Sequence, residues 1–190
     1  MNKNKKLVEH FSMIAHDTVS EAEEVYDTLS KELKDTPLMI DFFIYELKKS
    51  IEQMDEYFNA LRKKEALAFE KLTFIKGFAI IGMAGVKLFI GNEYTISQIA
   101  NLMTNTFRSK NSDYGDSYFQ LYKKYGAIAP AIPIENKCAR LLSLLKGKNV
   151  EVKEESIADS FLDLACYSVM YAMTVFPYEA VMESRNQKSS

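Results

Sequence analysis

The chain has 190 residues, 47% of them apolar, and a formal net charge of −2, with 7 glycines and 4 prolines. This length suits one domain with a sizeable core, and the scarcity of glycine and proline favours helices over strands and turns. The charges are interspersed without a basic stripe, which argues against direct binding to duplex nucleic acid. Both cysteines, Cys138 and Cys166, lie in apolar helical patterns, which is typical of free thiols in a reducing cytoplasm.

The N-terminal part predicts two long amphipathic helices. Apolar residues recur in steps of three and four from Leu7 to about Leu33, and a second stripe runs from Ile40 to Leu61. Asp35-Thr36-Pro37 separates the two stripes, which predicts an antiparallel hairpin of long helices. His10 and His16 lie six residues apart, so we expect them at the surface on different sides rather than in a shared metal site.

The most apolar run extends from Phe74 to Ile90 and is interrupted by two lysines that leave ten uncharged residues between them. A membrane-spanning helix needs about 20 such residues, so we predict a buried helix from about Glu65 to Ile90, and no membrane partner. The run contains Gly77, Gly82 and Gly85 without any phosphate-loop spacing, and we interpret them as points of close helix packing.

The second half predicts shorter helices. Gly91-Asn92 ends the apolar helix, and Thr95-Ile96-Ser97-Gln98 is typical of a capping box that opens the next one. The segment 112–117 interrupts that helix, and we expect residues 127–134, with two prolines, to form an irregular connector. Three further helices are predicted, at Tyr118–Tyr125, about Glu135–Lys146 and about Glu154–Phe176.

These elements predict an all-α fold, a mostly antiparallel helical bundle with an N-terminal hairpin of long helices. We divide the chain into an N-terminal helical region, 1–92, a second helical region, 93–182, and a polar tail, 183–190, which we expect to be mobile. The first two regions can form one compact domain. The long helices offer more apolar surface than 190 residues easily enclose, which predicts a homo-oligomer.

An acidic stripe lies on the helix near residue 160. Glu155, Asp159 and Asp163 follow at intervals of four, so their carboxylates share one side at steps of about 6 Å. Like charges at this spacing disfavour an isolated helix, and a nearby cation such as Mg²⁺, held by carboxylates and phosphate oxygens, would offset that cost. The alternative is a capping box in which Ser156 caps the helix and Asp159 completes it, although this leaves Asp163 unexplained.

The predicted helix at about Glu135–Lys146 and the loop at 110–117 supply candidate ligand contacts. Lys137 and Arg140 share a face and either bind phosphate or pair with acids of the neighbouring helix. The loop at 110–117 either forms a simple turn at Gly115 or presents polar groups to a ligand, with Tyr114 stacked on a base. The candidate contacts in this loop are Lys110, Asn111, Asp113, Tyr114, Asp116 and Ser117.

Three sequence blocks carry a family resemblance. They are KNSDYGDS at 110–117, NKCARLLSL at 136–144 and ESIADSFLDLACY at 155–167. In these blocks the chain resembles the nucleotide modification associated domain 1 family, an all-α family of phages and bacteria. The resemblance implies a helical bundle linked to nucleotide or modified-base metabolism, without an established reaction. Ser160 departs from the threonine expected there, and Cys166 stands where asparagine or a small residue is expected.

A second comparison concerns the MazG-like all-α nucleotide pyrophosphohydrolases, which bind Mg²⁺ through two acidic pairs on antiparallel helices. Glu21 with Glu24, and Glu52 with Asp55, have the spacing of those pairs. The chain is rich in acids, however, and we favour the stripe from Glu155 to Asp163 as the metal site.

We therefore expect a cytoplasmic protein that binds a nucleotide or deoxynucleotide. Lys137 and Arg140 would contact phosphate, and the acidic stripe would hold Mg²⁺ or polar groups of the ligand. If the protein is an enzyme, its reaction is Mg²⁺-dependent phosphate hydrolysis. The alternatives are a non-catalytic protein that sequesters a nucleotide or binds a partner, and a purely structural helical protein.

Overall fold

The all-α class is confirmed. The computed structural model describes residues 3–32, 36–65, 72–91, 93–114, 117–147 and 154–188, excluding the side chains of residues 32, 36, 112–114, 154–156, 184 and 188. These ranges contain helices and no strand. The helices are α1 (Lys3–Asp17), α2 (Val19–Glu32), α3 (Thr36–Arg62), α4 (Thr73–Ile90), α5 (Ile96–Tyr114), α6 (Ser117–Tyr125), α7 (Ile128–Leu145), α8 (Glu154–Val175) and α9 (Tyr178–Lys188).

Helix α4 is the centre of the bundle. It packs most extensively on α8 and also contacts α2, α3 and α5. Among the described residues it is the one helix long and apolar enough to cross a membrane, with a mean hydropathy of 1.7. Its buried residues face neighbouring helices on several sides, as in the core helix of a bundle.

Two glycines of α4 bring its backbone against α8. A Cβ atom on Gly82 would lie 2.7 Å from the Cβ of Ala165, and one on Gly85 would lie 2.5 Å from the ring of Phe161. Carbon atoms in van der Waals contact are about 3.5–4.0 Å apart, so neither position accepts a side chain in this arrangement. The glycines therefore serve close helix packing, as the sequence predicts.

The first predicted helix bends at Thr18. The Thr18 hydroxyl donates a hydrogen bond to the carbonyl oxygen of Ala15 at 2.8 Å, and this residue separates α1 from α2. Hydroxyls that bond back to the preceding turn often bend helices. The bend lets α1 pack mainly on α5 while α2 packs mainly on α4.

The connection from α4 to α5 follows the sequence prediction. Helix α4 ends at Ile90, and Gly91 takes a φ of +89°, which few residues other than glycine adopt readily. The Thr95 N–H donates to Gln98 Oε1 at 2.8 Å, and the Gln98 N–H donates to Thr95 Oγ1 at 3.1 Å. This reciprocal pair is the predicted capping box.

The predicted connector at 127–134 is wrong. Helix α7 begins at Ile128 and continues through Pro130 and Pro133. Pro130 lies in the first helical turn, where backbone N–H groups have no intrahelical acceptor and proline removes nothing. Pro133 lies deeper and removes one hydrogen bond, but α7 continues past it because its next turns pack on α8.

The described part of the predicted polar tail is helical. Helix α9 includes residues 183–188 and packs on α1. Arg185 Nη2 lies 3.0 Å from Asp17 Oδ1, and Lys6 Nζ lies 2.5 Å from Glu179 Oε1. Exposed ion pairs contribute little stability individually, but these two fix where α9 lies on α1.

His10 is buried under α9, contrary to the surface position expected from the sequence. It is 5% exposed, and its Nε2 has no hydrogen-bond partner among the described residues. Its ring meets that of Tyr178 edge to face, with centroids 5.7 Å apart. Burial lowers the pKa of His10 from its ordinary value of 6.5; a hydrogen bond with the backbone of Phe176 and the charge of Glu179 oppose this, and Lys6 adds to it.

We predict that stability falls as the pH is lowered from about 7 toward 5, because the unfolded chain then binds a proton that folded His10 resists. The His10→Gln variant should show a smaller loss over the same range, measured by urea unfolding at each pH. The His16→Gln variant, which keeps His10, should retain the wild-type slope. Equal slopes for wild type and His10→Gln would contradict this account.

We predict that Gly82→Ala lowers the free energy of unfolding by about 1–3 kcal/mol, since overpacking at the α4–α8 contact outweighs the better helix propensity of alanine. Gly77→Ala is the matched control, because its Cβ would meet only the Ser50 hydroxyl, at 3.2 Å. It should change stability by less than about 1 kcal/mol, the size of the propensity gain. Urea midpoints from circular dichroism compare the two, and equal effects would contradict the packing role of Gly82.

Candidate ligand-binding cavity

A cavity of about 820 Å³ lies between α5, α6, α7 and α8. Its polar lining consists of Thr106, Lys110, Asn111, Ser117 and Asp163. The rest of its lining is aromatic, aliphatic or a thiol: Phe107, Tyr118, Leu121, Tyr125, Ile128, Ala129, Ile132, Pro133, Cys166, Tyr167 and Met170. Mostly apolar walls with a few polar groups are the usual composition of a small-molecule site.

Polarity changes along the cavity in one direction. On α6, Ser117, Leu121 and Tyr125 line it at intervals of four residues, and on α8 the sequence is Asp163, Tyr167 and then Met170. Each interval of four advances about 6 Å along a helix, so the polar end and the apolar end are roughly 12 Å apart. A ligand with one charged and one apolar end therefore matches the cavity.

Two lysines meet one carboxylate at the polar end. Lys137 Nζ lies 2.7 Å from Asp163 Oδ2, and Lys110 Nζ lies 3.7 Å from Asp163 Oδ1. The Lys137 side chain is 23% exposed and that of Lys110 is 62% exposed. Lys137 is therefore the inner, closer partner of Asp163, and Lys110 is the outer one that solvent reaches.

Tyr118 lines the cavity, but its hydroxyl is shielded from solvent. The hydroxyl has no hydrogen-bond partner among the described residues. Burial, and then the neighbouring Tyr167, raise the pKa of Tyr118 above its usual value of 10.0, so the hydroxyl keeps its proton at neutral pH. Because the hydroxyl has almost no accessible surface, the part of Tyr118 that faces the cavity is its ring.

Cys166 lines the same cavity as a protonated thiol. Burial, followed by the charge of Asp163, raises its pKa to about 12, while Lys110 acts in the opposite direction. The thiolate is the nucleophilic form of cysteine, so this thiol is poorly suited to nucleophilic attack at neutral pH.

The structure brings together several of the predicted site residues. Lys110, Asn111, Ser117 and Asp163 all line the cavity, and Lys137 reaches it through its contact with Asp163. Arg140 and Asp159 are exposed and lie outside the lining. The remaining predictions lie outside the described residues and side chains: Asp113, Tyr114, Asp116 and Glu155.

The described residues contain no preformed cluster of metal ligands. They include no group of three or more His, Cys, Asp or Glu side chains that could hold a metal ion. Both oxygens of Asp163 face lysine ammonium groups, which oppose a further cation there. The four acids of the MazG-like pattern belong to the described residues, are exposed, and are not gathered into such a group. The Mg²⁺ site of Glu155, Asp159 and Asp163 stays a prediction.

Sequence reasoning missed the apolar walls. Leu121, Tyr125, Ile128 and Ile132 are each about half exposed, although hydrophobic residues in helices usually indicate a core. None of the residues of α6 is fully buried, so this helix contributes more to the cavity wall than to the core, which it meets through Phe119. The one available sequence signal was the concentration of these four residues on either side of Gly126.

Comparisons with known proteins identify no relative of this chain. No family model matches it, and neither does any curated protein or solved structure. The resemblance to the nucleotide modification associated domain 1 family therefore stays a prediction from the three sequence blocks.

We predict a coupling free energy of about 0.5–1 kcal/mol between Lys137 and Asp163, at the upper end for partly exposed ion pairs because Lys137 is the less exposed partner. A double-mutant cycle of Lys137→Met and Asp163→Asn, read by urea unfolding, measures it. The parallel cycle with Lys110→Met should give a smaller coupling because that lysine is farther away and more exposed. The reverse order would contradict the assignment of Lys137 as the inner partner.

Proposed function

We propose that this protein binds a nucleotide or deoxynucleotide in the cavity between α5 and α8. The observation that carries the proposal is the change from a lysine-bearing end to aromatic and aliphatic walls over roughly 12 Å. A nucleotide has the same order, with phosphate at one end and a flat base at the other.

The lining residues supply suitable contacts for each part of such a ligand. At the polar end, Lys110 offers an ammonium group, and Asn111 and Ser117 offer neutral hydrogen-bond donors to phosphate. In the walls, Tyr118 and Tyr167 offer aromatic surface for the base, as base-stacking side chains do elsewhere.

Turnover is a separate part of the proposal. The reaction to test is Mg²⁺-dependent hydrolysis of the ligand's phosphate, and the alternative is sequestration without turnover. The described residues include no group of three or more His, Cys, Asp or Glu side chains that could hold a metal ion, so we derive no catalytic step. Adding Mg²⁺ or EDTA to the binding assay, and measuring phosphate release, separates the two.

The aliphatic part of the walls favours a second candidate function, the binding of an anion with a hydrocarbon chain. Leu121, Ile128 and Ile132 line the cavity while about half exposed, and their shape suits a chain as well as a ring. Each buried methylene contributes about 0.8 kcal/mol, so affinity would rise roughly fourfold per carbon in a series of alkyl phosphates. If the cavity binds only nucleotides, the affinity for alkyl phosphates would not increase with chain length.

The same exposed residues agree with the proposal of a homo-oligomer, because apolar patches of this kind often mark contact surfaces. Light scattering with and without ligand tests this. An oligomer that survives Ile132→Ser would use another surface.

We predict that a nucleotide at about 100 times its Kd adds about 2.7 kcal/mol of stability and raises Tm by roughly 5–10 °C. Thermal-shift screening would use ribo- and deoxynucleotides of each base, with Mg²⁺ or with EDTA. Lys110→Gln should abolish the shift because it removes the phosphate contact, while its own Tm should stay close to wild type because Lys110 is mostly exposed.

The matched control is Lys123→Gln, which removes an exposed lysine of α6 that is not part of the cavity lining. It should keep the full ligand shift. If no nucleotide shifts the wild-type Tm, the nucleotide proposal is wrong. If alkyl phosphates shift it and nucleotides do not, the second candidate function replaces it.

A further inference from the structure

We infer that the ligand carries a single phosphate, which replaces Asp163 on Lys110 when it binds. The inference rests on the proposed function, because it concerns the same cavity and the same class of ligand. It assigns Asp163 the role of an internal counter-anion rather than that of a metal ligand.

The two ion pairs of Asp163 differ in a way that supports exchange. The contact with Lys137 is short and largely shielded, at 2.7 Å, whereas that with Lys110 is longer and more exposed, at 3.7 Å. An exposed pair at the longer distance is worth little, so an incoming anion can take Lys110 at small cost. Lys137 would keep Asp163 in place meanwhile, as a positioning residue.

The charges of the cavity lining determine how many phosphates of the ligand the cavity binds. Among the described lining residues Lys110 is the one cationic side chain, and Asp163 beside it is an anion. A second or third phosphate would either enter the apolar end of the cavity or extend into solvent. A charge at the apolar end is strongly disfavoured, and a charge in solvent adds little to binding. Affinity should therefore not increase from mono- to triphosphate.

The two roles of Asp163 give opposite results on substitution. If Asp163 holds a metal ion, Asp163→Asn weakens binding of the metal-bound nucleotide. If it is a counter-anion, the same substitution frees both lysines and removes a like charge from the phosphate site. Removing a unit charge about 4 Å away corresponds to about fivefold tighter binding even when it is screened as in bulk water, and to more in a partly exposed site.

The test is calorimetric titration of the full chain with the mono-, di- and triphosphates of adenosine, guanosine, cytidine and thymidine, in EDTA and again in Mg²⁺. For the wild type we expect the monophosphate to bind at least as tightly as the triphosphate of the same nucleoside. Asp163→Asn should tighten monophosphate binding at least about fivefold without Mg²⁺. Lys110→Gln should weaken it at least tenfold.

Glu135→Gln is the matched control, since it removes a carboxylate charge at an exposed position of α7 outside the cavity lining. It should change the Kd less than twofold. A triphosphate that binds more than tenfold tighter than the monophosphate, or weaker binding by Asp163→Asn, overturns this inference and leaves the proposed function standing. No heat with any nucleotide overturns the proposed function itself.

Discussion

The rest of the structure depends on the contact between the backbones of α4 and α8. With hydrogen in place of a side chain at Gly82 and Gly85, the two helices approach until Phe161 and Ala165 lie directly on α4. This contact fixes both the distance and the rotation of α8. Because Asp163 lies between those two residues in sequence, on a different face of the helix, the same contact directs it towards α7 and the cavity. The site is therefore a consequence of how the core packs.

Much of the fold could be predicted because helical periodicity is a local signal. The apolar stripes indicated the helices, and the Thr95–Gln98 capping box indicated a helix start that the structure has. The bend at Thr18 was missed because the apolar pattern continues across it without a break. The start of α7 was missed because proline usually breaks helices. Pro130, however, lies in the first helical turn, where proline is tolerated.

The site was predictable only in its charged part. The sequence placed Asp163 and Lys137 on neighbouring helices. For Lys137, both phosphate binding and ion pairing with an acid of the next helix were open. Which cation Asp163 meets depends on the distance between α7 and α8, a tertiary quantity that no local pattern contains. The apolar walls were harder to predict, because residues such as Leu121 and Ile132 give the same sequence pattern whether they face a core or a cavity.

Helix α6 has a different relation to the protein from the other cavity helices. It lines the cavity along its length and contains no buried residue, whereas α5, α7 and α8 each contribute to both the cavity and the core. Substitutions at Leu121 or Tyr125 thus alter the cavity wall with little effect on folding, and the opposite holds for Phe161 or Ala165. During divergence, the shape of the cavity can change through α6 while the α4–α8 scaffold is conserved.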